Sequence, residues 1–180
     1  MKMKKMRAAL AAMTIVALTF TACSGDDGEQ GPAGPAGAPG NANVNASTFA
    51  VTTADWVRIG NSAISRDTLA VASIDQSVVD NGAVHVYQRF TDSTDWNALP
   101  FRYLTLDASG QSVTNANVQA TYGVGEVSLS FYTDDRLLAT IPDMDFKVVV
   151  IPSASLVDGI DANNYEEVKM VYGIEEYDLK

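Results

Sequence analysis

At 180 residues, with 22 acidic against 12 basic side chains and a formal net charge of −10, the chain offers one domain's worth of sequence and no basic surface for nucleic acid. Residues 1–22 hold four of the basic residues and none of the acidic ones, so the remainder carries eight against 22, a net −14. That balance also disfavours adsorption to anionic lipid head groups. The single cysteine, Cys23, excludes a disulfide within the chain.

The N-terminus has the three parts of a secretory signal. Lys2, Lys4, Lys5 and Arg7 form a basic start, Ala8 to Thr21 an apolar run, and Ala22 a small residue before Cys23. The run is too short for a comfortable membrane span, which needs about 20 apolar residues. Phe20-Thr21-Ala22-Cys23 resembles the lipobox of bacterial lipoproteins, with phenylalanine where leucine is usual. The resemblance implies that residues 1–22 are a signal peptide and that Cys23 becomes the acylated (palmitate-type) first residue of the mature chain. Two or more acyl chains hold a protein to a membrane where one does not, each buried methylene contributing about 0.8 kcal/mol.

Residues 23–43 form the tether. Asp26, Asp27 and Glu29 follow Cys23 closely, a pattern that resembles the signal sending Bacteroidota lipoproteins to the outer face of the outer membrane. The alternative is a solvated linker and a domain facing the periplasm. Glycine then recurs at 25, 28, 31, 34, 37 and 40, with Pro32, Pro35 and Pro39 between. This is the collagen pattern: only glycine fits the crowded axis, and proline presets the polyproline II backbone. So short a run favours a semi-rigid stalk, at about 3.1 Å per residue, over a stalk trimer. Asn41-Ala42-Asn43 breaks the repeat.

Residues 44–180 read as short strands separated by Gly, Asp, Asn, Ser or Pro. Thr48 to Val51 opens the domain, and Thr53 to Asp55 forms a turn that delivers Trp56 to the core. Thr68 to Ile74 is a strand with Leu69 and Val71 on one face. Asp75 to Asn81 is a helical turn stopped by Gly82. Ala83 to Phe90 alternates, with Val84, Val86 and Phe90 on one side and His85, Tyr87 and Arg89 on the other. After a polar loop, Thr91 to Asn97, Pro100 allows an edge or bent strand through Leu106. Asp107 to Gln111 turns, strands run over Val118–Tyr122 and Glu126–Thr133, and Asp134-Asp135 turns again. Leu137 to Ile141 is a short strand. Phe146 to Ile151 is apolar apart from Lys147, as in a central strand covered on both faces. Asn163-Asn164-Tyr165-Glu166 starts a helix with Tyr165, Val168, Val171 and Tyr172 on one face, and Gly173 stops it. The fold class is therefore mainly β: an antiparallel β-sandwich with a short C-terminal helix.

The segments TFAVTTADW, DNGAVHVYQRF, DWNALPFRY, DFKVVVIP and YEEVKMVYGI resemble those of uncharacterised Bacteroidota lipoproteins with a collagen-like stalk and a C-terminal β-rich domain. The resemblance implies architecture and location, an outer-membrane lipid anchor, and no activity.

Chemistry-bearing residues are few. His85 is the only histidine, and its place in a strand reads as sheet packing or surface rather than catalysis. The carboxylate pairs Asp92 and Asp95, Asp134 and Asp135, and Asp143 and Asp145 read as turn formers, since aspartate bonds its own backbone there. Asp92 and Asp95 are the best calcium candidates among them; no other metal site is expected. Trp96, Phe101 and Tyr103 are the candidate ligand-binding residues, because aromatic rings stack on the apolar faces of sugars, whereas Trp56 reads as core. Gly123-Val124-Gly125 lacks the third glycine and the helix of a phosphate loop, so no cofactor is expected. The resulting expectation is a non-enzymatic, lipid-anchored structural or binding module. The alternatives are a carbohydrate- or protein-binding accessory module or adhesin and, more weakly, a hydrolase using paired acids.

Overall fold

The computed structural model describes residues 43–135 and 138–175. Cys23, the acidic segment and the glycine-repeat stalk lie outside the described residues. Nine strands and two short helices follow in order: β1 (Asn45–Val51), β2 (Val57–Arg58), β3 (Ser65–Ala70), α1 (Gln76–Asn81), β4 (Ala83–Phe90), β5 (Asn97–Ala98), β6 (Phe101–Leu106), β7 (Val113–Gly123), β8 (Glu126–Thr133), β9 (Met144–Ile151) and α2 (Tyr165–Tyr172). They form two antiparallel sheets, ordered β1-β9-β4-β5 and β2-β3-β8-β7-β6, as a β-sandwich requires.

Period-two patterning builds the space between the sheets. In β8, Val127, Leu129 and Phe131 point inward and are buried, while Ser128, Ser130 and Tyr132 point out. Val86 and Val118 join them from β4 and β7, and Trp56 packs edge-on against both Phe131 and Phe146 at 6.2 Å. A single 3₁₀ turn, Thr53–Asp55, swings Trp56 into that position. The Asp55 carboxylate locks the turn by accepting from the Thr52 amide (2.8 Å) and hydroxyl (2.7 Å), which also lowers its pKa.

Strand β9 is buried along its whole length. Its even-numbered residues, Met144, Phe146, Val148 and Val150, enter the core between the sheets. Val149 and Ile151 enter a second cluster with Tyr87, Tyr165, Val168 and Tyr172, roofed by α2. One helix thus covers the outer face of the four-stranded sheet. Asn164 caps it by accepting from the Glu167 amide, and Gly173 ends it in the left-handed conformation at φ 62°.

Several boundaries differ from the sequence reading. The strand expected over Thr68–Ile74 starts at Ser65 and stops at Ala70. Val71 and Ile74 instead clasp the β7–β8 turn: Val71 N donates to Gly125 O (2.8 Å) and Gly125 N to Ile74 O (2.7 Å). Strand β7 starts five residues earlier than Val118, its pairing partner being β6 as well as β8. Of the strand expected over Leu137–Ile141, the described residues show only a bridge from Ala139 to Asp107; Leu137 is not among them. Val171, expected on the buried face of the helix, is 38% exposed.

Candidate functional site

The loop after β4 and the loop before α2 meet on the outer face of the four-stranded sheet. Between them lies a depression of about 370 Å³, lined by Thr94, Asp95, Trp96, Asp161, Asn163, Asn164, Tyr165 and Glu166. Trp96, at the floor, is held by charge from the sheet. The Arg89 guanidinium carbon lies 4.5 Å from the centre of the indole and Lys147 Nζ lies 4.6 Å from it. Tyr165 packs on the same indole at 5.8 Å. Both cations are spent locally: Arg89 bonds Asp145 at 3.0 Å, and Lys147 donates to the Tyr165 hydroxyl at 2.8 Å. The indole Nε1 is buried without a hydrogen-bond partner.

The wall opposite is an ordered turn. Asp161 accepts from the Asn163 amide (3.0 Å) and side chain (3.1 Å), and Tyr87, on the outer face of β4, donates to the Ala162 carbonyl at 2.8 Å. Burial, with Asp161 and Tyr172 nearby, raises the Tyr87 pKa and keeps its hydroxyl a donor. The rim therefore presents carboxylate, amide and hydroxyl oxygens around an aromatic floor. Such a surface accepts hydrogen bonds more than it gives them, and it suits a ligand rich in hydroxyl or N–H donors.

The three aromatic candidates do not share a face. Trp96 belongs to the cluster under α2. Tyr103, on β6, packs edge-on against Phe90 at 5.1 Å and joins the core between the sheets, with Phe101 stacked on it at 6.1 Å. Burial pushes the Tyr103 hydroxyl pKa up to about 12. The four-stranded sheet thus separates Trp96 from the other two. Inward alternation on β6 explains this, since Phe101 and Tyr103 occupy its core-facing positions.

The calcium candidates also part. Asp95 lines the Trp96 depression, whereas Asp92 lines another, of about 610 Å³, with Thr53 and Asp143. Among the described residues, no group of three or more His, Cys, Asp or Glu stands where it could hold a metal ion. The other acids serve structure. Asp143 accepts from the Thr53 amide at 2.8 Å, Asp145 holds Arg89, and Asp134 accepts from Asn117 (2.8 Å) and pairs with Arg102. His85 sits in β4 opposite Val149, with its pKa lowered by burial, and is not among the residues that line the depression.

No family model, curated protein or solved structure matches this chain. The site therefore rests on its own geometry. Sequence reading singled out Trp96 but missed Tyr165, Asn163 and Asp161, which come from some 70 residues further along the chain. One signal was available: Arg89 and Lys147 are charged residues within strands otherwise covered by apolar neighbours, and cations in such places need an aromatic or anionic partner.

Proposed function

We propose that the protein is a non-enzymatic module of the cell envelope, lipid-anchored through Cys23 at the outer membrane and displaying its sandwich on the glycine-repeat stalk. The observation that carries this reading is the order of parts. The signal-like run, Cys23, the acidic residues and the stalk end at Gly40, and the folded domain opens at Asn45. A spacer that leads straight into the first strand serves to hold a payload away from a surface. Its acid-rich composition favours attachment by acyl chains over attachment by head-group contact. Fractionation tests the anchor: Cys23→Ala is expected to move the protein out of the membrane fraction and to abolish palmitate incorporation. Retention at the wild-type level would overturn it. Protease treatment of intact cells then separates display on the outer face, where the domain is cleaved, from a periplasm-facing domain, which is protected.

A ligand-binding form of the same reading, as a carbohydrate- or protein-binding accessory module or adhesin, is favoured by the Trp96 depression. Its acceptor-rich rim and aromatic floor match the donor-rich hydroxyls of a glycan.

A further inference from the structure

Four strands end the two sheets, and three of them are blunted. Strands β2 and β5 are two residues each. Strand β6 follows Pro100, carries Arg102, and has its far end bridged at Asp107 by Ala139. Short length, proline, charge and a covering segment are the usual protections of a sheet edge. Among the described residues, strand β1 has none of them. It runs seven residues, pairs with β9 in seven consecutive steps without a bulge, and contains no charge and no proline. Its other edge carries no strand among the described residues.

We infer that β1 is a self-association edge, at which two copies of this chain pair antiparallel to make one continuous sheet. The chain's own N-terminal segment is a poor occupant. Pro32, Pro35 and Pro39 lack the amide donor a ladder needs, and Ser24 to Gly31 is a run of glycine and acid that disfavours a strand. A second β1 fits. Pairing about a two-fold axis at Thr48 sets Ser47 against Phe49, Ala46 against Ala50 and Asn45 against Val51, with no like charges opposed. In a chain of net charge −10, an uncharged strip is where a second copy approaches without repulsion. The nearest acid in register, Asp145 opposite Ala50, is already bound to Arg89. Phe49, half-buried at the rim of the core, gains cover from the partner's Ser47. The inference stands on the edge itself and does not require the anchor, although anchoring in a common membrane raises the effective concentration and makes weak pairing sufficient.

Cross-linking of the full chain in its membranes tests this. Thr48→Cys, treated with a short bis-maleimide, is expected to give a product of twice the chain mass, several-fold above Thr68→Cys, an exposed position on β3. Adding Ala46→Lys and Ala50→Lys, both at exposed sites of β1, is expected to remove the product while leaving the unfolding temperature within a few degrees. The parental chain, with Cys23 alone, reports any unacylated Cys23 thiol, so failure of the anchor is distinguishable from failure of the edge. A Thr48→Cys yield no higher than that of Thr68→Cys, a product of some other mass, or a yield undiminished by the lysines would each overturn the proposal.

Discussion

Lys147 Nζ donates to the Tyr165 hydroxyl across 2.8 Å, tying the central strand β9 to the first residue of α2. The lysine is 5% exposed, and its ammonium also lies 4.6 Å from the Trp96 ring and 4.8 Å from the Tyr165 ring. A buried charge that loses a partner costs more than a charge that was never there. Tyr165→Phe is therefore expected to lower stability by about 1–3 kcal/mol, because it leaves the ammonium one acceptor short. Lys147→Met removes charge and donor together and is expected to cost less. Urea unfolding of both variants checks the order. A larger loss for Lys147→Met would show that the lysine's attraction to the rings outweighs its desolvation.

Gly82 ends α1 at φ −94°, a conformation open to any residue. What it lacks is room: a Cβ there would lie 2.6 Å from the Ile151 carbonyl oxygen and 3.0 Å from Val78 Cα. Backbone atoms on two sides cannot yield as a flexible side chain would. Gly82→Ala is expected to cost about 1–3 kcal/mol, seen as a drop of several degrees in the unfolding temperature. Gly123→Ala is the control, since nothing stands within 4 Å of its Cβ position. That change should be neutral or slightly stabilising, because alanine loses less chain entropy in a strand.

The same contrast shows what could be read from the sequence. Gly82 and Gly173 were legible as helix stops, Trp56 as core, and β9 as a strand buried on both faces, because each follows from local pattern and turn chemistry. The end of β3 at Ala70 was not, since it depends on Gly125 arriving from the β7–β8 turn. The separation of Trp96 from Tyr103 was equally hidden. They lie seven residues apart in the chain, yet Leu99 and Pro100 carry the strand from one sheet to the other. Gln88 is buried on the core side of β4 with no partner for its amide, and nothing in the structure explains it.

His85 is half-buried opposite Val149, and burial lowers its pKa below the ordinary 6.5. In the unfolded chain the imidazole takes up its proton more readily than in the folded one. Above about pH 7 both states are neutral and the group contributes nothing to pH dependence. As pH falls through 6.5 toward the lowered folded value, the unfolded state gains the proton first and stability declines. Asp55 and Asp107, whose pKa values are lowered from 3.8 by hydrogen bonds, titrate below this window. Urea midpoints at pH 7.5 and 5.5 should therefore fall for the wild type and change less for His85→Gln. Equal slopes in the two proteins would assign the decline to another group.

Trp96 is both floor of the depression and part of the packing under α2, so its removal confounds two effects. Trp96→Ala strips the indole from Arg89, Lys147 and Tyr165 and is expected to destabilise by about 1–3 kcal/mol, less than a fully buried tryptophan would. Loss of a ligand in that variant would prove little. Rim residues separate the roles. Asp95 makes only a long bond of 3.4 Å from Thr94 through its carboxylate, and the Asn163 side chain bonds only Asp161, whose contact with the Asn163 amide survives truncation. Asp95→Asn and Asn163→Ala are thus expected to change stability by no more than about 0.5 kcal/mol. If the depression takes a glycan, both variants lose retention on an array wherever the wild type binds, at unchanged fold. Retention at the wild-type level in both would move the binding surface elsewhere on the sandwich.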